Sequence, residues 1–414
     1  MTIDSEIERT GETVDNATAH VLDGYRAGDS FYFASPRSAM LARGVDGTVP
    51  KVECASRGDL AGRVADFLAG AEEFGRSAPM VVGAVPFGGD LPAHLVLPSE
   101  VIRAAPATAG SPPNSPRAPE CALRQVPSPE EYELGVRRAL RRMTHEELSK
   151  VVLARTLEFS LSAPIDVNAM LRNLAFQDPG GYTFAVDLPV RGEDGSRDSF
   201  GPQPPLDRTL IGASPELLVS RDGNQVRSNP MAGSRPRSQD PVEDRRRAEQ
   251  LLVSEKDLRE HAAVVEAVAD GLRPMCKNLR VPESPSLTST AAMWHLATEV
   301  TGELRDPGTS SLELALALHP TPAVCGTPMQ AANRVIAETE PFDRGYYAGM
   351  VGWCDSAGDG EWVVAIRCAE AEEKLLRLFA GAGIVSGSDP AEELAETSAK
   401  FRTALAAMGL ERML

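Results

Sequence analysis

Two stretches of helical periodicity each carry two carboxylates three residues apart. Asp257 and Glu260 lie in SEKDLREHAAVV, and Glu393 and Glu396 lie in PAEELAETSAK. A spacing of three places both side chains of a pair on one face of its helix. If the two helices approach each other, their oxygen ligands suit a magnesium ion that keeps some water ligands for an anionic substrate. Either pair alone is more typical of a solvated helix face.

Two further titratable residues stand within apolar sequence. Lys150 begins KVVLAR, and Glu216 lies in GASPELL, which interrupts a strand pattern. Desolvation lowers the pKa of a lysine and raises the pKa of a carboxyl group, so these residues could act as a general base and a general acid. An ordinary cation at a strand edge and an ordinary turn residue are the respective alternatives.

Other residues could bind a ligand. His295 in MWHLAT and Arg367 in VVAIRCA are single polar residues in apolar surroundings, for which a satisfied core histidine and a buried ion pair are the alternatives. In LFAGAGIVSGSDPAEELAET, a glycine-rich turn is predicted to join a strand to a helix that begins near Asp389. The free N–H groups of such a junction can bind a carboxylate or phosphate. Gly381 and Gly383 could instead allow tight strand packing, and no G-x-G-x-x-G motif supports a nucleotide site.

The elements that must position these residues are helices mixed with adjacent hairpins. This order favours an α+β fold over a wound βαβ sheet. A long amphipathic helix is predicted from about Pro241 to Leu272, and the apolar runs TLIGASPELLVSR and EWVVAIRCAE are predicted as strands. A Pro/Ser-rich loop is predicted near residues 104–118, and a mobile polar insertion around RGEDGSRDSFGPQPP. Length alone allows two or three domains or one large one.

Composition excludes several classes of function. The 414 residues include 42 lysines and arginines against 59 aspartates and glutamates, a net charge of −17 that argues against binding to nucleic acid. No apolar run approaches the roughly 20 residues of a membrane helix, and the polar start lacks the features of a signal peptide. Six cysteines without a C-x-x-C pair predict reduced, mostly buried thiols. We therefore expect a cytoplasmic protein that binds neither membranes nor nucleic acid.

Several longer strings, taken together, resemble the chorismate-utilising enzymes, and among them the isochorismate synthases of siderophore and menaquinone pathways. The strings follow the order of that family across roughly Pro127 to Leu410. They are SKVVLAR, IGASPELLVSRDG, NPMAGSRPR, KDLREHAAVV, MWHLAT, HPTPAVCGTP, EPFDRGYYAGMVGWCD, GEWVVAIRCA and GAGIVSGSDPAEELAETSAK. So many ordered blocks are far more specific than any one motif. The N-terminal third resembles the family only loosely.

The resemblance implies one large domain rather than two or three. Its layers would be α/β/β/α, with orthogonally packed antiparallel sheets around a central site. Residues 1–126 would form the N-terminal part of this fold, and residues 127–414 the chorismate-binding catalytic region. The family acts without a redox or nucleotide cofactor, so the implied partners are the substrate chorismate and Mg²⁺, and the implied oligomeric state is a monomer.

The resemblance also assigns roles to the acids and the lysine. Glu260 and Glu396 match the ligands of a magnesium ion that bridges to the ring carboxylate of chorismate. Asp257, where the family often has glutamate, and Glu393 match outer or water-mediated ligands. Lys150 matches the base that activates water for attack on C2 of chorismate. Glu216, in turn, matches the acid that protonates the departing C4 hydroxyl. Further positions match residues that contact the substrate: Gly233, His295, Ala323, Arg367, Gly381, Gly383 and Lys400.

Two positions bear on the subclass. Relatives that add ammonia usually lack a lysine at the position of Lys150 and work with a glutamine amidotransferase, so we expect water as the nucleophile and no such subunit. Ala323 in HPTPAVCG is typical of isochorismate synthases, whereas salicylate synthases, which also eliminate pyruvate, tend to have threonine nearby. A salicylate synthase is the first alternative. A noncatalytic chorismate-binding protein is the second, although it would need neither a base nor an acid.

Overall fold

The computed structural model describes residues 21–51, 59–89, 91–106, 120–144, 148–189 and 208–410. Most of the predicted loop near residues 104–118 and the predicted polar insertion around RGEDGSRDSFGPQPP lie outside these ranges. The described cysteines are all free, and Cys276, Cys325, Cys354 and Cys368 are buried. Of the helices within these ranges, none has the length and apolar character to cross a membrane.

The strands pair antiparallel throughout the described residues. In chain order they are β1 (Ser30–Ala34), β2 (Ala39–Arg43), β3 (Gly47–Thr48), β4 (Met80–Val85), β5 (His94–Leu97), β6 (Glu100–Ala104), β7 (Cys121–Val126), β8 (Lys150–Leu161), β9 (Tyr182–Leu188), β10 (Arg208–Ser214), β11 (Leu217–Asp222), β12 (Gln225–Asn229), β13 (Met231–Pro236), β14 (Cys276–Arg280), β15 (Ser286–Ser289), β16 (Met293–Ala297), β17 (Val300–Leu304), β18 (Gly326–Thr327), β19 (Met350–Asp355), β20 (Gly360–Val364), β21 (Cys368–Glu372) and β22 (Leu375–Val385).

These strands form three sheets. A ten-stranded sheet has the order β18-β8-β22-β21-β10-β9-β1-β2-β6, with β7 also paired to β8. A nine-stranded sheet has the order β14-β17-β12-β11-β20-β19-β4-β5-β3, and β13-β16-β15 form a small third sheet. The helices are α1 (Leu60–Glu73), α2 (Pro129–Met143), α3 (Val167–Gln177), α4 (Pro241–Val253), α5 (Glu255–Leu272), α6 (Ser311–Leu318), α7 (Met329–Thr339) and α8 (Pro390–Met408).

The core lies between the two large sheets and under the helices that cover them. Phe33 and Val186 of the ten-stranded sheet share one apolar cluster with Val82 and Val351 of the nine-stranded sheet. Helices α3 and α8 pack on the ten-stranded sheet, α2 and α7 pack beside β8, and α1 and α6 pack on the nine-stranded sheet. This arrangement confirms the predicted α+β fold with helix, sheet, sheet and helix layers in one domain.

The predicted helix from Pro241 to Leu272 is wrong as a single element, because Ser254 divides it into α4 and α5. Ser254 has an extended backbone, with φ −75° and ψ 108°, and its side chain accepts a hydrogen bond from the backbone N–H of Asp257. A serine that caps a helix in this way starts a new helix axis. The break places Asp257 and Glu260 in the first two turns of α5.

Two predicted strands also break, and each break passes the chain from one large sheet to the other. The first, TLIGASPELLVSR, leaves the ten-stranded sheet after β10 and enters the nine-stranded sheet as β11, with Glu216 in the connection. The second, EWVVAIRCAE, runs the opposite way from β20 to β21, with Arg367 in the connection at a φ of 51°. The connections lie side by side, since Val364 N–H donates to the Glu216 carbonyl and Ala213 N–H donates to the Arg367 carbonyl.

Candidate active site

A cavity opens where these two connections meet the ends of β8 and β22, the small sheet and helices α5 and α8. All of the predicted site residues line it except Lys150, Asp257 and Glu393. Those that do are Glu216, Gly233, Glu260, His295, Ala323, Arg367, Gly381, Gly383, Glu396 and Lys400. The fold therefore brings together residues that are scattered over almost two hundred positions of the sequence.

Lys150 stands directly behind the cavity and contacts Glu260. Its strand partners are Thr327 on one side and Val385 on the other, so the alternative of an ordinary strand-edge cation is wrong. The ammonium is buried and lies 2.9 Å from Glu260 Oε1. Within the described part of the chain, Nζ has no partner with good hydrogen-bond geometry. A buried amine with unused donors is free to engage a ligand.

Gly381 and Gly383 lie within strand β22, not in a glycine-rich turn before the last helix, so this prediction is wrong. The turn comes later, at Gly387, which has a φ of 91°. A Cβ at position 383 would overlap Glu260 Oε1 and stand 3.2 Å from Lys150 Cε. Glycine is therefore needed there because it lets the ion pair approach the strand.

Glu216 is almost fully buried in the connection between the large sheets. Burial raises its pKa to about 8, although a hydrogen bond from the Met231 backbone and the charges of Lys150 and Lys400 act in the opposite direction. At neutral pH the side chain is therefore mostly protonated. A protonated carboxyl group on a cavity wall has the form that a general acid requires.

Arg367 and His295 form a second polar group on the cavity wall. Arg367 Nη2 lies 3.3 Å from His295 Nε2, and both side chains are buried. Burial, followed by the charges of Arg367 and Lys400, lowers the pKa of His295 well below its usual value, so the imidazole is neutral and can accept a hydrogen bond. Burial also lowers the pKa of Arg367, to about 10. The guanidinium stays charged at neutral pH, and its Nη1 has no hydrogen-bond partner among the described residues. An anionic group in the cavity would satisfy it.

Glu396 and Lys400 form a pair on helix α8. Lys400 Nζ lies 2.6 Å from Glu396 Oε1 and donates to the Gly381 carbonyl at 2.8 Å. Ser234 Oγ donates to the same Glu396 oxygen at 3.1 Å. Burial raises the pKa of Glu396, but the charge and hydrogen bond of Lys400 outweigh it, and the net shift is downward. Glu396 is therefore an ionised carboxylate in a buried setting.

Asp257 and Glu393 lie behind the cavity wall and have partners of their own. Glu393 Oε1 is 2.9 Å from Lys256 Nζ, and Asp257 Oδ2 is 3.3 Å from Arg235 Nη2. Burial raises the pKa of both carboxyl groups. Their positions fit an indirect role better than direct contact with a ligand in the cavity.

The acids supply the donor type that a hard cation takes, but they are not preassembled around one point. Within the described ranges, no three His, Cys, Asp or Glu side chains come close enough together to hold a metal ion. Glu260 and Glu396 do line the same cavity from different helices, and each carries a lysine ammonium at its oxygen. A magnesium ion fits this donor chemistry if it shares the carboxylates with the lysines or displaces them.

The sequence analysis missed several residues of the site. Lys256 and Ser234 pair with predicted acids, and Tyr347 lines the cavity with its ring stacked on Phe379 at 4.9 Å. All of them except Phe379 lie inside strings that carried the family resemblance. Their types gave no separate signal, because a serine, a lysine and a tyrosine are common at such positions.

Perturbed titratable groups around one cavity are typical of a functional site. Comparison with known proteins identifies the family. The model of the chorismate binding enzyme family matches residues 99–409, and the chain belongs to this family.

Individual relatives agree with this assignment. Isochorismate synthase DhbC of Bacillus subtilis (strain 168) is 52% identical over 396 residues, which cover 95% of this chain and 97% of the relative. The vibriobactin-specific isochorismate synthase of Vibrio cholerae serotype O1 is 42% identical over 95% of this chain and 94% of its own length. The crystal structure of DhbC from Bacillus anthracis matches with a TM-score of 0.86 and 49% identity, over 95% of this chain and 99% of that one.

Proposed function

We propose that the protein is an isochorismate synthase, which converts chorismate to isochorismate by adding water at C2 with loss of the C4 hydroxyl. The similarity to isochorismate synthases over nearly the whole chain supports this activity. The observation that carries it is the pairing of two opposite proton-transfer groups at one cavity. Glu216 holds a proton at neutral pH, and the Lys150 nitrogen, buried directly behind the cavity, has no hydrogen-bond partner of good geometry among the described residues.

Each residue of the site has a separate role in this reaction. Lys150, in its neutral amine form, takes a proton from the water that attacks C2, and Glu216 gives a proton to the hydroxyl that leaves C4. Arg367, through its free Nη1, and Lys400 receive the enolpyruvyl carboxylate. The neutral His295 orients Arg367 and contacts the ring, while Gly233, Gly381, Gly383 and Ala323 shape the wall around it.

The proposal includes a magnesium ion held by Glu260 and Glu396, with Asp257 and Glu393 as outer or water-mediated ligands. When bound, the ion would neutralise these acids and hold the ring carboxylate of chorismate by charge. The carboxyl groups of Glu260 and Glu396, which line the same cavity, support this metal site. Calorimetric titration of the protein with Mg²⁺ tests the site without reference to turnover.

We also propose that the enzyme acts in the cytoplasm as a monomer, without a glutamine amidotransferase subunit. Lys150 supports the use of water, since an enzyme that uses ammonia needs a source of it. Size-exclusion chromatography with light scattering tests the oligomeric state, and turnover of the purified chain with chorismate and Mg²⁺ alone tests the need for a subunit.

Product analysis with purified enzyme, chorismate and Mg²⁺ distinguishes the candidate functions. Isochorismate as the released product supports the proposal. Stoichiometric salicylate and pyruvate would show a salicylate synthase, and saturable binding of chorismate without any product would show a noncatalytic homologue.

A further inference from the structure

A buried ion pair at the end of helix α7 holds part of the cavity wall without lining the cavity. Arg344 Nε lies 2.8 Å from Glu340 Oε2, and Arg344 Nη2 lies 2.6 Å from Glu340 Oε1. Both side chains are almost completely buried, with exposed fractions of 3% and 2%. The contact is therefore a bidentate pair of the geometry that only arginine provides.

The remaining hydrogen bonds of this pair go to the backbone of two cavity segments. Arg344 Nη1 donates to the Val324 carbonyl and Nη2 to the Val152 carbonyl, each at 2.7 Å. Glu340 Oε1 accepts from the Ala154 N–H at 2.8 Å. Val152 and Val324 both line the cavity, and Val324 directly follows Ala323. The pair thus ties the turn that carries Ala323 to strand β8.

The guanidinium also lies against two aromatic rings. Its carbon is 4.6 Å from the centre of the Phe87 ring and 5.9 Å from that of Tyr347, which lines the cavity. A buried ion pair adds little to stability compared with apolar residues of the same volume, because desolvation of both charges offsets their attraction. What this pair contributes is a fixed position of Val324 relative to Val152.

We infer that Arg344 is a positioning residue that, with Glu340, fixes the Ala323–Val324 wall and so determines that isochorismate is released intact. The inference rests on the proposed function. The competing reaction is elimination of pyruvate. In it the hydrogen on C2 of isochorismate moves to the methylene carbon of the enolpyruvyl group, the C3–O bond breaks, and the ring becomes aromatic salicylate. Elimination needs a different alignment of the side chain and C2, and small displacements of a bound substrate change rates strongly.

The test compares R344K with a matched variant, R208K. Lysine keeps the charge but cannot make the four hydrogen bonds that the Arg344 guanidinium makes. Arg208 also forms a buried pair, 3.5 Å from Glu370, and lies 6.0 Å from the Tyr346 ring, but it lines no part of the cavity. We expect R344K to raise the ratio of pyruvate to isochorismate roughly threefold or more, since a loosened wall permits other alignments. R208K should leave the ratio unchanged.

Pyruvate is measured with lactate dehydrogenase, salicylate by fluorescence, and both are corrected for isochorismate incubated without enzyme. A purely structural role would lower the unfolding midpoint of both variants and leave the product ratio of both unchanged, and this result would overturn the inference. If R344K does not fold, E340Q, which keeps the shape of the partner, must shift the ratio in the same direction. Stoichiometric pyruvate from the wild type would overturn the proposed function and the inference together. Intact isochorismate from the wild type, with an unchanged ratio in R344K, would overturn the inference alone.

Discussion

Two walls of the cavity differ in how their charges are compensated. The ion-paired wall consists of Glu260, Glu396 and Lys400, with Lys150 directly behind it, and each acid has an ammonium at 2.9 Å or less. The polar wall consists of Glu216, His295 and Arg367, which form no ion pair within the described residues. There, burial keeps Glu216 protonated and His295 neutral, and one guanidinium nitrogen has no partner.

The difference indicates how each wall works. In the ion-paired wall, the charges of the acids and lysines already compensate each other. An ion that binds there must therefore replace one member of an existing ion pair. A wall with one guanidinium nitrogen that has no partner among the described residues can take an anion without such an exchange. We therefore expect the ion-paired wall to govern metal-dependent turnover. In the polar wall, we expect Arg367 to govern substrate affinity and Glu216 to govern proton transfer and its pH dependence.

Metal removal should produce the largest effect, because it acts on the whole ion-paired wall. We expect EDTA to abolish turnover and added Mg²⁺ to restore it. Glu260→Gln and Glu396→Gln should lose most activity and Mg²⁺ binding in calorimetry while remaining folded by circular dichroism. Glu266→Gln, on an exposed face of α5, is the matched control. Full activity in a metal-stripped preparation would contradict the magnesium proposal.

Removal of one proton-transfer group should cost somewhat less. We expect Lys150→Ala to lower kcat by about 10² to 10⁴, the usual loss for a general base, and Glu216→Gln to do so by a similar factor. Lys277→Ala, at an exposed position of β14, should have no effect. Initial rates of isochorismate formation measure all three. Near wild-type kcat in both site variants would exclude the assigned roles.

The pH dependence of kcat/KM tests one residue of the polar wall, Glu216. Because the raised pKa of Glu216 is about 8, the acid form is present below that pH and lost above it. We expect kcat/KM to fall above about pH 8, approaching tenfold per pH unit as for loss of a single essential proton. The residual activity of Glu216→Gln should lack this limb. An unchanged alkaline limb in that variant would assign the pKa to another group.

Arg367→Lys should affect binding more than chemistry. Lysine keeps the charge but removes the free Nη1, and a hydrogen bond to a charged group contributes about 1.5–3 kcal/mol. We expect KM for chorismate to rise by roughly tenfold or more, with a smaller change in kcat. Arg377→Lys is the control, because Arg377 of β22 pairs with Glu158 of β8 and neither residue lines the cavity. Equal KM values in the two variants would show that Arg367 does not hold a carboxylate.

The smallest effect should come from Ala323, which lines the cavity. We expect wild type to release isochorismate with little pyruvate. Ala323→Thr adds bulk and a hydroxyl group beside the ring, and should raise the pyruvate yield at the expense of isochorismate. Ala317→Thr, at an exposed position of α6, controls for the substitution itself. An unchanged product ratio would show that Ala323 does not contact the ring.

The sequence by itself determined the α+β class, most of the helices and strands, and the acids, lysine and arginine of the site. Local signals were sufficient for these. The Ser128 capping box starts α2, Asp389 caps α8, and the spacing of three places Glu393 and Glu396 on one face. The family resemblance then assigned roles that no single motif specified.

The tertiary structure decided which of those residues meet and in what state of charge. Periodicity cannot show that TLIGASPELLVSR and EWVVAIRCAE cross between two sheets, because both halves of each run are apolar and buried. Those crossings place Glu216 and Arg367 side by side on the cavity. The partner of each acid, the need for glycine at position 383 and the contacts of Arg344 likewise depend on atoms that are distant in the chain. Burial, which sets the pKa of Glu216, exists only once the sheets have packed.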